Sequence, residues 1–469
     1  MDVPMIVLLL TVLTAATALA WRVPWAGIAF VINGSVVYYA TLSLLHVAPS
    51  AQLTGAILGV PAGVAALRLM TRPGAVSRLR RNPSVYLFSI FVLIWYVRWL
   101  IDPAPSTGFG GRALAYMFVF AILPFVSGLS IREPEVRQAL WWLFVFGGAG
   151  AIVMLGYWIT GAATLSTNFT GRWEPIPFVP GGVIATDLGV ACLSLFALFP
   201  TSRWMMAALS GLLTLVVVAI DIRLGSRGPF LLLIVCLVGA VAIVFKRAGA
   251  REAVIRGAGL VLVLGLAYGL AAPAAAVAPP PTPSASPPAA GAPQQPSATD
   301  APPRVAQAEA YVSPQDPSTK ERLETLDAAL RFIAEKPIFG WGGALVGRDL
   351  NGHLWDYAHN TLLDPLVETG IIGAVPYWTL FVLVTLSVVA ALRRNGGVRE
   401  TLLPLLPLVA FVFLESLISG YVAQSRHLWL LVGFVCSLVV APLTWPRGRE
   451  TQTEPLARDE TLLSAEGRD

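Results

Sequence analysis

Apolar runs long enough to cross a bilayer recur along almost the whole chain, separated by short turns that are mostly basic. A run of roughly 18 or more apolar residues can span the hydrocarbon core as a helix. Such runs stand at 3–20, 26–47, 51–70, 84–101, 113–131, 136–160, 181–199, 205–222, 229–245, 255–277, 371–392, 401–423 and 427–443. The expected fold class is therefore an all-α polytopic membrane protein, with about 12–13 transmembrane helices and one large external loop containing short helices. The first 70 residues decide the count. If all three early runs span, there are about 13 helices and the N-terminus is outside; if one is only partly inserted, about 12 and the N-terminus is inside. The run from Val3 to Ala20 lacks the charged start of a signal peptide and leads straight into more apolar sequence, so it reads as a first membrane helix.

Composition agrees. Of 469 residues, 56% are hydrophobic and 13% charged, whereas a soluble domain carries about 25% charged residues. The net charge of +5 does not point to nucleic acid, because the basic residues sit between apolar runs rather than on one soluble face. Membrane lipid is the expected surrounding. The positive-inside rule puts Arg72 to Arg81, Arg132, Arg203, Lys246 with Arg247 and Arg251, and Arg393 with Arg394 in the cytoplasm. The loop 161–180, the turn 221–228 and the stretch 278–370 then face outward. Cys192, Cys236 and Cys436 each lie inside an apolar run with no near neighbour. They predict buried small hydrophobes, without a disulfide or a Cys-based metal site.

Four regions follow. Residues 1–277 form an N-terminal transmembrane bundle, 278–370 the external loop, 371–443 the last transmembrane helices, and 444–469 a polar, disordered cytoplasmic tail. Within the loop, 278–318 is a Pro- and Ala-rich linker that cannot bury a core. Residues 319–370 are expected to be helical and to carry the chemistry. Ser318 with Glu321 suggests a capping box, Leu323, Leu326, Leu330 and Ile333 follow at helical spacing, and Pro337 ends the helix. A second helix is expected from about Asn360 to Glu368, with Gly370 after it.

Candidate chemistry collects at this outer side. His359 lies near the membrane surface, followed by Asn360 and then by Glu368 before a glycine-rich return to lipid. Histidine suits proton transfer near neutral pH; the alternative is a hydrogen-bonded loop histidine. In Asp221-Ile222-Arg223-Leu224-Gly225-Ser226-Arg227-Gly228, helical continuation would put Arg223 and Arg227 on one face. A guanidinium suits phosphate oxygens; the alternative is interfacial snorkelling. Arg172 in the loop 161–180 is a further cation, or an ordinary loop arginine pairing with Glu174. No Walker A, HExxH, paired CxxC or early Asp-x-Asp element is present, so nothing calls for a metal or another cofactor.

These residues bring a family into view. The stretch from about Thr319 to Gly373 resembles the C-terminal signature of the O-antigen ligase and polymerase superfamily. The matching elements are Arg322 and the helix after it, Glu335-Lys336-Pro337-Ile338-Phe339-Gly340-Trp341-Gly342, His359-Asn360, and Glu368-Thr369-Gly370-Ile371-Ile372-Gly373. The turn at Gly225-Ser226-Arg227-Gly228 is similar to the family's Ser-Arg-Gly element, and Arg172 stands where the family has another functional arginine. The resemblance covers roughly residues 110–443. It implies a polyprenyl-diphosphate-linked glycan as donor and a glycan or lipid-glycan as acceptor. It also implies inverting, metal-independent transfer to an acceptor hydroxyl on the outer face of the bacterial cytoplasmic membrane. On that reading His359 orients or deprotonates the acceptor. Arg227 and Arg172, with Arg223, hold the diphosphate, while Asn360, Glu368, Ser226 and Arg322 support the site. A secondary transporter or lipid-linked glycan flippase is the alternative. It would place polar residues at the bilayer midplane on broken helices, whereas the notable polar residues of this sequence fall at the outer edge. A loop that merely binds a cell-wall partner is a third reading, under which His359 is dispensable.

Overall fold

In the computed structural model the described residues are 3–45, 50–104, 110–160, 181–198, 204–224, 226–271, 317–346 and 357–440 without Asn395, together with short loop pieces at 47, 164–165, 173–174, 176, 349–350 and 353–355. Among the described residues the regular structure is helical apart from two-residue antiparallel pairs, 164–165 with 173–174 and 349–350 with 353–354. In chain order the helices are α1 (Val3–Arg22), α2 (Pro24–Asn33), α3 (Ser35–Leu44), α4 (Gly55–Met70), α5 (Ala75–Arg81), α6 (Pro83–Ile101), α7 (Ala113–Leu129) and α8 (Val136–Thr160). Then come α9 (Gly181–Leu198), α10 (Trp204–Leu224), α11 (Arg227–Ala248), α12 (Ala250–Ala271), α13 (Pro317–Glu335), α14 (Asp364–Arg393), α15 (Gly397–Ser419) and α16 (Arg426–Val440).

Each expected apolar run coincides with helix. Among the described residues, 7 helices are long and apolar enough to cross a membrane singly, or up to 8 if the bent pair α2–α3 is one span. That pair corrects the expectation of one continuous run over 26–47: its halves meet at 70°. The side chains flanking the bend explain it, because each is held by another helix. Asn33 donates to the Leu143 carbonyl of α8 at 2.9 Å, and Ser35 donates to Asp187 of α9.

The basic turns gather at one end of the bundle. Arg72 pairs with Glu135 at 2.5 Å and Arg132 donates to the Pro73 carbonyl at 3.5 Å. At the same end Thr401 donates to Glu133 at 2.8 Å, and Arg247 donates to the Glu400 carbonyl at 2.7 Å. Helices α6, α10, α11, α14 and α15 all run between this end and the opposite one, which carries the 221–228 turn, Gly420 and His359.

The core between them is aromatic. Trp429 of α16 lies among Phe88 and Phe91 of α6, Phe125 of α7, and Tyr377 and Phe381 of α14. Helices α7 and α16 approach backbone to backbone: a Cβ on Gly128 would stand 2.3 Å from the Leu430 carbonyl oxygen, and one on Gly433 2.4 Å from that of Phe125. Small residues at a crossing are a common route to tight packing where lipid removes the hydrophobic drive between helices. All three cysteines are free and buried.

Two expectations about the loop are corrected. Helix α13 begins at Pro317, so Ser318 sits inside its first turn instead of capping it; proline fits a first helical turn because its missing N–H has no partner there anyway. Its packed face is Ala328, Ala329 and Phe332, while Leu323 and Leu330 remain 54% and 53% exposed. The small alanines allow closer approach to Leu345, Trp355, Ala358 and Val367 than a leucine ridge would. The second helix starts at Asp364, not Asn360; at Gly370, expected just after it, the backbone leaves the helical conformation, and beyond this break the chain runs on as the membrane part of α14. The linker expected at 278–318 lies outside the described residues as far as position 316, and the tail 444–469 lies wholly outside them.

Candidate functional site

The His359 segment is built by helix ends. Asn360 presents its side-chain oxygen to the Leu362 and Leu363 N–H groups at 2.9 and 3.3 Å, and its carbonyl accepts from Asp364 N–H at 3.0 Å. This starts the turn that becomes α14, satisfying donors a helix leaves open at its N-terminus. Thr361 is held against the C-terminal end of α15, its N–H and its hydroxyl both donating to the Ser416 carbonyl at 3.2 Å. Asp364 accepts from Ala358 N–H at 2.8 Å and from Val422 N–H at 3.2 Å. Between these anchors His359 has φ +53, and among the described residues it is the non-glycine with positive φ.

On the other flank the glycines of 336–343 interlock with α14. Gly370 has φ +61 and ψ −165, a conformation essentially reserved to glycine. A Cβ there would lie 2.3 Å from the carbonyl carbon and oxygen of Ile338, and one on Gly340 2.5 Å from the Glu368 carbonyl carbon. The two strands of chain are stitched by Trp341 N–H to the Val367 carbonyl and Gly342 N–H to that of Glu368, both 2.8 Å, and by Ile371 N–H to that of Pro337 at 2.9 Å. Helix α6 completes the seat: Trp95 Nε1 donates to the buried Glu368 carboxylate, and Gly343 N–H donates to the Asp102 carbonyl at 2.8 Å.

The His359 ring is partly buried, 4.2 Å centroid to centroid from Tyr357, which stacks on Tyr421 at 5.0 Å. Burial pushes the imidazole pKa down to about 4, and the positive charge of Arg322 on α13 acts in the same direction. The ring is therefore neutral at pH 7, with one nitrogen free to accept a hydrogen bond, and is a weaker base than a solvated imidazole. The same guanidinium acts on Glu415, one turn inside the C-terminal end of α15.

The second cluster meets the first at that helix end. A Cβ on Gly228, in the first turn of α11, would lie 3.3 Å from Ile418 of α15. Gly420, just beyond α15, has Thr361 at 2.7 Å from its own Cβ position. The Ser226 hydroxyl lies 3.2 Å from the corresponding position on Gly181 at the start of α9. The structure thus brings the 226–228 turn and the His359 segment to one end of α15. Arg227 opens α11, and Ser226 at its N-cap makes no side-chain cap bond. Such a helix start offers free N–H groups and a positive dipole end to an anion. The expected helical continuity through the turn is corrected. Arg223 ends α10 and Arg227 begins α11, so the four-residue spacing does not stack them on one helical face. Arg223 instead lies over the Trp158 ring at 5.2 Å. Arg172 lies outside the described residues; its neighbours Trp173 and Glu174 form the short strand against α10.

Sequence reasoning missed a buried polar centre between the bent pair and the start of α16. Asp187 accepts from Arg426 at 2.9 and 3.2 Å and from Ser35, with His427 Nε2 3.2 Å away. Arg426 also donates to Ser35 at 2.9 Å, and His427 is 3.2 Å from Asn33 Oδ1. The available signal was the presence of ionisable residues inside apolar runs, each a functional hypothesis by default. Among the described residues no three His, Cys, Asp or Glu side chains converge as a metal would require.

One comparison with known proteins is informative. The family model described as O-antigen ligase matches residues 222–378, from the end of α10 through the His359 segment and the first turns of α14. No curated protein gives a match.

Proposed function

We propose, on the match of residues 222–378 to the family model described as O-antigen ligase, that this chain is a membrane glycan transferase of the O-antigen ligase and polymerase superfamily and that it moves a polyprenyl-diphosphate-linked glycan onto an acceptor hydroxyl. The reaction is a single inverting displacement. His359 takes the acceptor hydroxyl proton, the oxygen attacks the anomeric carbon, and the bond to the diphosphate breaks on the opposite face. Arg227 and Arg172, with Arg223 beside them and the N-terminus of α11, neutralise the departing diphosphate, so no metal is needed to carry that charge. Ser226 and Asn360 shape the two turns, Glu368 ties the α14 start to α6, and Arg322 adds to the burial that keeps the imidazole neutral. The site opens at the outer face of the cytoplasmic membrane, opposite the basic end. The region from α13 to the Gly370 break is the catalytic part of the external loop.

The observation that carries this reading is His359 itself. It is held at positive φ, neutral through burial, at the same end of α15 as the Ser226–Gly228 turn. The bent pair α2–α3 is what a transporter or flippase would share. Its polar groups, however, satisfy one another around Asp187, which leaves them unsuited to a transported polar cargo.

The test is glycan transfer by purified protein in nanodiscs from a polyprenyl-diphosphate oligosaccharide, with EDTA present. Transfer should survive EDTA and disappear in His359→Ala and Arg227→Ala, with expression unchanged. An unimpaired His359→Ala enzyme would remove the catalytic assignment and favour the transporter.

A further inference from the structure

We propose that Asp364 is the positioning residue for His359: one carboxylate fixes the backbone from which the imidazole is presented. The inference rests on the reading of His359 as the proton acceptor.

An aspartate in the first turn of a helix ordinarily serves that helix, accepting from the N–H groups of its own first turn. Asp364 does otherwise. Its Oδ1 accepts from Ala358 N–H at 2.8 Å, the residue just before His359, and its Oδ2 accepts from Val422 N–H at 3.2 Å, in the turn between α15 and α16. The carboxylate therefore joins three segments: the His359 loop, the start of α14, and the 420–425 turn that carries Tyr421 beneath Tyr357. Its location is poor for stability alone. Asp364 is 1% exposed, makes no ion pair among the described residues, and stands four residues before the buried Glu368, so two carboxyl groups share one dry site. A neutral hydrogen-bonding side chain could cap α14 without that penalty. What only a carboxylate supplies is two acceptors in a fixed plane for two N–H groups from different directions.

The strained residue makes this requirement sharp. An L-residue at φ +53 persists only where its surroundings over-determine it. After His359 the backbone is fixed by Asn360 and by Thr361 on Ser416; before it, the bond from Ala358 to Asp364 performs that task. Releasing Ala358 lets the loop relax, turning the ring out toward water and away from the acceptor. A shift of about 1 Å in a reacting group can lower a rate by about a hundredfold.

Asp364→Asn tests this. The amide keeps one acceptor but turns an NH2 toward one of the two N–H donors. In nanodiscs, with a polyprenyl-diphosphate glycan donor, kcat per folded molecule should fall at least about tenfold while donor KM stays within about twofold. The acid limb of the pH–rate profile should move up from near 4 toward the unperturbed histidine value, because a released ring is better solvated. A merely structural Asp364 would lower the melting temperature and the folded yield, leaving kcat per folded molecule and the acid limb in place; that result overturns the proposal. If Asp364→Asn does not accumulate, Asp364→Glu is read by the same measures, since it keeps both acceptors and displaces them by one methylene. His359→Ala is assayed alongside. Activity in that variant removes the His359 reading itself, whereas an inactive His359→Ala beside a fully active Asp364→Asn removes only the role of Asp364.

Discussion

Asp187 and Arg426 should be far more costly to remove singly than together. Asp187 is wholly buried, and its two oxygens receive Ser35, His427 and the Arg426 guanidinium, the last at 2.9 and 3.2 Å. Replacing Asp187 by leucine leaves the Arg426 cation without its counter-ion inside the bundle. Breaking one partner of a buried ion pair costs about 3–5 kcal/mol, more than a hundredfold in the folding equilibrium. Replacing Arg426 by leucine should be milder. Asp187 keeps the Ser35 hydroxyl, and His427 Nε2 at 3.2 Å can take a proton and stand in for the lost cation. The double variant carries neither charge and should lie within about 1–2 kcal/mol of the wild type, as replaced buried pairs often do. Unfolding in mixed detergent followed by tryptophan fluorescence measures all four corners of the cycle. Single costs below about 1 kcal/mol, or a double variant as unstable as the sum of the singles, would refute the reasoning that the pair acts as one neutral unit.

Four further outcomes follow from the geometry. Gly370→Ala should cost about 2–5 kcal/mol, combining a glycine-only conformation with a Cβ 2.3 Å from Ile338, and should be read as a lowered melting temperature with loss of transfer; a neutral effect would mean the 338–340 segment yields freely. Because the folded-state pKa of His359 is depressed to about 4, the ring contributes no pH dependence above about 6.5; as pH falls from there toward 4 the unfolded chain takes up the proton first, so stability declines, while transfer persists until the folded ring protonates near 4. Arg322→Gln should raise that acid limb without carrying it to 6.5, since burial is the larger cause; an unmoved limb would separate Arg322 from the site. Cysteines introduced at Arg132 and at Arg322 should react with impermeant thiol reagents from opposite sides of sealed vesicles, and the three native cysteines, being buried, should stay silent; labelling from one side would overturn the proposed sidedness.

How much of this was legible in the sequence depends on the distance over which each feature is determined. The helices are local: an apolar run in lipid has little choice but to close its own hydrogen bonds, so each expected run falls on helix over its described residues, the 26–47 run on two. Element boundaries were less secure because neighbouring chain decides them. The start of α14 shifts from Asn360 to Asp364 because Asn360 turns its side chain back onto Leu362 and Leu363, while the break expected at Gly370 is present and is bridged by hydrogen bonds from the 337–342 segment. The packed face of α13 could not be read from leucine spacing. What it meets is a pocket of Trp355, Leu345 and Val367 contributed by later residues, and alanines fit that space where leucines do not. The site divides in the same way. His359 and the Ser226–Gly228 turn announced themselves through residue type near a predicted membrane edge, but their shared position at the end of α15 runs through Ile418, Gly420 and Thr361, none of which carries a chemical signal. The Asp187 centre is the extreme case. Asn33, Asp187 and Arg426 come from three distant stretches of the chain, and each alone reads as a stray polar residue. Only the bend at Gly34 and the start of α16 bring them within hydrogen-bonding distance, and a buried charge in lipid is tolerable only once that assembly has formed. The polar centre and the bends that create it are therefore one feature, which is why breaking the ion pair should loosen the helix packing around α2, α9 and α16 before it touches the chemistry at His359.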